Sequence, residues 1–267
     1  MPEKTDYYLK QYSDTEEELI VFVVKTGYSL KLPDGSRDSV VYLGMVKDGE
    51  FTKERGLLDW LRHNGFLFKG KSYHFDKYGI YRVRASRQEP AKGIPRWLVR
   101  DVLAKDVPDP SLLAWKEHYL TPVAIKRQGV ELTLDREYDQ YEGNLRTDKY
   151  DCNIYLETTE PGGEDVGRAG ELYDDIVSRL AWWDEQARQY AAEKLLETAN
   201  DWRDEEDPEL TADDFTRRMT LTGFSVSSKG TLGLYSFFYS DDEMFAGHEI
   251  FCEGDTEHGF TDSSIQG

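Results

Sequence analysis

EDVGRAGELYDDIVSRLAWWDEQARQYAAEKLLETANDW, residues 164 to 202, is the longest continuous helical pattern in the chain. Leu172, Ile176, Leu180, Trp183, Ala187, Ala191, Leu195, Ala199 and Trp202 recur at steps of three and four, which places them on one face of an α-helix. Asp174, Asp175, Glu185, Arg188, Glu193 and Glu197 fall largely on the other faces. A helix of this kind, continuous or broken once, must cover its apolar stripe with a sheet or a second helix.

The flanks supply strands. VELTLDREYDQYEG (130–143) and NLRTDKYDCNIYLETT (144–159) read as a meander in which Tyr150, Cys152, Ile154 and Leu156 share one face. Pro161-Gly162-Gly163 then releases the chain into the helix. Beyond it, RDEEDPE is a solvated loop, and Thr211 three residues before Asp214 forms a variant capping box opening a short helix through Met219. LTGFSVSS, TLGLYSFFYS and GHEIFCEG are three more strand-like pieces.

The first half reads as β-rich. ELIVFVVKTGYSLKLP (18–33) and SVVYLGMVKDG (39–49) are strands, with Pro33-Asp34-Gly35 as the turn between them. Leu57, Leu58, Trp60 and Leu61 predict a short amphipathic helix ending at Asn64-Gly65. Tyr81, Val83 and Ala85 alternate with Arg82, Arg84 and Ser86, a half-buried strand with its arginines outward. A loop with Pro90, Gly93 and Pro95 leads to a helix at 97–103, and another follows at 110–119, where Ser111 is placed to cap the first turn. The expected class is therefore α+β: a β-rich N-terminal lobe with short helices, then an antiparallel sheet packed on a long helix.

Charge divides the chain at the same place. Residues 1–120 carry 20 Lys and Arg against 18 Asp and Glu, whereas residues 121–267 carry 13 against 34, a net of −21. Two domains, 1–120 and 121–267, are expected. The acid-rich start MPEKTDYYLKQYSDTEEE lacks a signal peptide's apolar core, and the aliphatic run Leu19 to Val24 is too short to span a bilayer, so a cytoplasmic protein is expected. Cys152 and Cys252 stand apart from any CxxC or Cys/His cluster and are expected to be reduced, buried small hydrophobes.

Few residues point to chemistry. PGGEDVGRAG (161–170) has neither G-x-G-x-x-G spacing nor the Lys-Ser/Thr of a P-loop, and Glu164 and Asp165 would repel a phosphate. No spacing among the histidines suggests a metal site, no G-x-S-x-G elbow is present, and no cofactor is expected. The best cluster is DDEMFAGHEIFCEGD (241–255), where Asp241, Asp242 or Glu243 beside His248 would make a general base of a hydrolase type. The simpler reading is a structural histidine after a solvated turn. KGKSYHFDKYGIYRVRASR (69–87) offers Lys71, Arg82 and Arg84 among Tyr73, Phe75 and Tyr78 for a nucleic-acid backbone and stacked bases, or else an ordinary exposed face. Trp182 points about 100° away from Trp183 and either packs on a flank or meets a partner.

Residues 122–267 resemble the bacterial family known as domain of unknown function 2262. The resemblance rests on ELTLDREYDQYEGNL, WWDEQARQYAAEKLLETANDW, LTADDFTRRMTL and GFSVSSKGTLGLYSFFYSDDEMFAGHEIFCEGD. The first half is similar to a companion region found before that domain. The resemblance implies a bacterial, cytoplasmic protein and transfers no catalytic residue. With no catalytic motif and so acidic a second half, the expectation is a non-enzymatic, immunity- or adaptor-like module that binds a basic protein. A hydrolase using His248 and a nucleic-acid binder are the alternatives.

Overall fold

A computed structural model describes residues 4–32, 35–63, 73–89, 93–204 and 206–267. It divides into two compact units, Met1–Thr121 and Pro122–Gly267.

The first unit opens with a short helix, α1 (Lys4–Leu9), which the polar start of the sequence does not announce. Five strands follow: β1 (Glu17–Leu32), β2 (Gly35–Lys47), β3 (Glu50–His63), β4 (Ile80–Arg87) and β5 (Arg96–Lys105). They close into a barrel of order β1-β2-β3-β5-β4, in which β1 also pairs with β4. The closing seam between β3 and β5 is parallel, from Leu57↔Arg96 to Asp59↔Leu98. This is the topology of the five-stranded Greek-key barrels of the OB type. Residues 110–120 form α2, as the sequence suggests, but its cap is Asp109, whose carboxylate accepts from the Ser111 and Leu112 N–H groups at 3.0 Å. Trp115 of α2 donates from Nε1 to the Leu43 carbonyl at 2.8 Å and lies against Gly44, where a Cβ would meet its ring at 2.8 Å.

Two expected helices are strands. Leu57, Leu58, Trp60 and Leu61 belong to β3, and the segment from Trp97 to Leu103 belongs to β5. Over four or five residues the apolar spacing of the first fits either period, and long-range pairing decides. Asp59 lies between Leu58 and Trp60 on β3. In the barrel it is fully buried and takes the Tyr12 hydroxyl (2.6 Å), the Ser39 hydroxyl, and Arg96 through Nε (2.8 Å) and Nη2 (3.1 Å). Ser86 also faces inward rather than out, accepting from Arg100 Nε at 3.0 Å. Pro33-Asp34, Asn64-Gly65 and Pro90 lie outside the described residues.

The second unit holds β6 (Ala124–Arg127), β7 (Val130–Asp135), β8 (Gln140–Arg146), β9 (Asp151–Glu157), α3 (Gly167–Ser178), α4 (Leu180–Trp202), α5 (Ala212–Arg218), β10 (Thr220–Lys229), β11 (Leu232–Ser240), β12 (Glu249–Asp255) and β13 (Gly259–Gln266). The eight strands form one sheet in the order β13-β12-β11-β10-β9-β8-β7-β6. It is antiparallel except at its centre, where β9 and β10 run parallel from Gly223↔Asn153 to Val226↔Leu156. The helices occupy the crossover that a parallel pair requires. α3 lies over β9, β10 and β11, and α4 over β12 and β13. The helical stretch breaks once, at Arg179 (φ −126°, ψ 30°), and starts at Gly167 rather than Glu164. Cys152, Ile154 and Leu156 are buried, and Asp151, Asn153 and Glu157 are exposed, the alternation expected for β9. The Thr211–Asp214 capping box is present at the start of α5. β13 was not legible, because GFTDSSIQ is an edge strand with little apolar alternation.

Candidate functional site

The break at Arg179 shapes the most distinctive concave surface of the second unit, a cleft of about 700 Å³ beside α3 and α4. Its floor is built by Trp183, which is buried and meets Tyr235 at 4.9 Å and Phe260 at 6.2 Å between ring centroids. Those rings come from β11 and β13, so the helix stripe and the sheet share one aromatic cluster. Trp182, the next residue, is 47% exposed and stands at the mouth. Arg179 stacks its guanidinium 5.0 Å from the centre of the Trp182 ring. The same guanidinium reaches back one turn to Asp175, with Nε at 2.9 Å from Oδ1 and Nη2 on Oδ2. Trp183 Nε1 donates to the same Oδ2 at 3.1 Å, so that oxygen accepts from both side chains.

The Arg179 hydrogen bond holds the Asp175 carboxyl below its ordinary range, against burial, and the Trp183 donor adds to it. Glu171, Glu193 and Asp255 line the cleft as well, and Tyr190 closes its far end with Lys194 5.3 Å over its ring. Burial, reinforced by Asp255, pushes the Tyr235 phenol up to about 12, so it stays a neutral donor. The arrangement suits recognition of a cation: π faces to stack on, carboxylates to pair with, and an apolar floor for an aliphatic stem.

A broader hollow of about 1100 Å³ lies along α4 and α5. Its polar base is taken up by the fold. Asp184 accepts from Arg188 Nε (2.7 Å) and from the hydroxyls of Tyr150 (3.2 Å) and Tyr239 (3.1 Å), while Arg188 Nη1 holds the Thr216 carbonyl at 2.8 Å.

The residues singled out by sequence are not gathered into one place. Asp241 is buried and accepts three backbone N–H groups of its own turn, from Glu243 (3.2 Å), Phe245 (2.6 Å) and Gly247 (3.3 Å). Asp242 pairs with Arg218 at 3.0 Å, and Glu243 is exposed at a positive φ of 63°. The half-buried His248 ring meets Trp202 edge-on at 6.0 Å. In the first unit, Arg82 pairs with Glu18 at 3.5 Å, and Arg84 with Glu16 at 2.9 Å and Asp101 at 3.6 Å. Lys71 lies outside the described residues. Trp182 alone sits in the cleft. Asp175 reads from the sequence only as a solvated helix acid, and Tyr235 and Phe260 reach the cleft only through the order of the sheet. The adjacent tryptophans were the one local signal.

Among the described residues no group of three His, Cys, Asp or Glu side chains is placed to hold a metal ion, and no helix is long and apolar enough to cross a membrane. Both cysteines are free and buried.

Comparison with known proteins agrees with the division into units. No curated protein matches the chain. Residues 6–119 match a domain of unknown function, DUF7021. Residues 129–265, which run from the start of β7 to one residue short of the end of β13, match the family described as uncharacterized protein conserved in bacteria, DUF2262. The chain belongs to the DUF2262 family.

Proposed function

We propose that the protein is a non-enzymatic binding module, adaptor- or immunity-like, whose second unit engages a basic protein partner. One observation carries the reading: an exposed tryptophan stands at the mouth of an aromatic cleft bordered by carboxylates, on a unit with a net charge of −21. Exposed tryptophans at clefts are frequent binding hot spots. A field of that sign speeds the approach of a cationic partner and penalises an anionic one. The two reduced, buried thiols favour action in a reducing compartment such as the cytoplasm.

An affinity pull-down from the native bacterium at low and high salt, read by mass spectrometry, tests it. One basic protein recovered stoichiometrically at low salt and lost at high salt is expected. An empty low-salt pull-down removes the reading.

A further inference from the structure

We infer that the Trp182 cleft receives an arginine side chain of the partner, and that Arg179 is a placeholder which the incoming arginine displaces. This deepens the binding reading above and rests on it.

The argument starts from what already occupies the ring faces. Arg179 stacks on Trp182 and presents two nitrogens to the Asp175 carboxylate, so plane and fork are satisfied together. At the other end, Lys194 covers Tyr190 at 5.3 Å. The cleft thus holds a complete guanidinium site, filled from within. The Arg179 side chain is 52% exposed and that of Asp175 38%, so this internal pair is exchangeable with solvent and weakly held. Trp183 Nε1 also donates to Oδ2, at 3.1 Å, which keeps the acceptor tethered when Arg179 leaves.

An external arginine gains more than the internal one. Arg179 approaches from the helix surface at the mouth. A side chain entering from solvent would lay its aliphatic stem against Phe260 and Tyr235 on the floor and bring flanking cations to Glu171 and Glu193. Lysine carries the same charge but lacks the planar fork, so the site should prefer arginine.

The probe is a capped hexa-arginine peptide, with hexalysine as comparison, titrated into the full chain at low salt and followed by calorimetry. Hexa-arginine should bind several-fold tighter than hexalysine. Trp182→Ala, a change at an exposed side chain, should weaken hexa-arginine by about five-fold. Arg179→Ala should strengthen it by about three-fold or more, because the competitor is gone. The exposed Lys126→Ala on β6 alters net charge equally and should leave affinity within a small factor, separating displacement from charge. Weaker binding by Arg179→Ala, or an unchanged affinity in Trp182→Ala, overturns the inference. Salt-sensitive peptide binding that ignores both substitutions overturns it while leaving the acidic-surface reading intact. Failure of the native pull-down strikes that broader reading instead.

Discussion

Arg188 sits one turn beyond Asp184 on α4, and its Nε meets the Asp184 carboxylate at 2.7 Å inside the unit. The side chain of Asp184 is only 5% exposed, and the same arginine reaches the carbonyls of Thr216 in the last turn of α5 and of Met219 just past its end. The pair therefore ties α4 to the segment that enters β10. Replacing Arg188 with Met leaves a buried carboxylate without its counter-charge and should cost about 3–5 kcal/mol in urea unfolding. Asp184→Asn combined with Arg188→Met should recover part of that loss.

Tyr235 crosses the ladder onto Gly254, its direct partner in β12, and a Cβ there would lie 2.3 Å from the Gly259 carbonyl oxygen and 2.6 Å from the Tyr235 hydroxyl. Tyr42 covers Gly56 in β3 in the same manner, with its ring 2.3 Å from a Cβ. Gly254→Ala and Gly56→Ala should each destabilise by about 1–3 kcal/mol through overpacking. Unfolding midpoints should fall while the denaturant slopes hold.

The hydrogen bond that the His258 ring donates from Nδ1 to the Asp255 carboxylate, at 3.0 Å, raises that imidazole above its ordinary 6.5. Burial alone would lift the Asp255 carboxyl, but the His258 backbone and ring outweigh it and hold it below the usual range. The contact thus favours the folded state fully below pH about 6.5 and fades as pH rises through the raised imidazole value. The carboxylate's share is present above its unfolded value and is lost as pH falls through its lowered folded value. In an NMR titration, His258 should titrate above an unstructured histidine, and Asp255→Asn should bring it back down.

Burial pushes both thiols up to about 11, and Cys252 additionally points toward the Ala187 carbonyl at 3.6 Å. Thiolate is the reactive form. Native protein should therefore react negligibly with a disulfide reagent at pH 8, and denatured protein should release 2 equivalents. Rapid labelling of the folded chain would refute this.

The second unit was the more legible half, for a physical reason. Its elements are long or strongly periodic: the stripe from Leu172 to Ala199 is confirmed residue by residue as buried, save the exposed Trp202 at its end, and β9 alternates as written. In the first unit the short apolar runs at 57–61 and 97–103 suit two periods, and only barrel closure, with a carboxylate buried at Asp59, selects strand. The cleft itself was legible only as Trp182. Phe260 and Tyr235 acquire meaning from sheet order, and Arg179 from a helix break whose position no capping residue marks.

The lone parallel pairing at β9 and β10 also governs how the second unit assembles. Each meander, β6 to β9 and β10 to β13, is a run of neighbouring antiparallel hairpins, the longest connection being the eight residues between β11 and β12. Their joint is a zipper of register Asn153–Leu156 on Gly223–Val226, and it spans every helix in between. The segment closed by that zipper is the longest between paired strands of the sheet and carries the largest closure entropy, so the joint is expected to form after the hairpins.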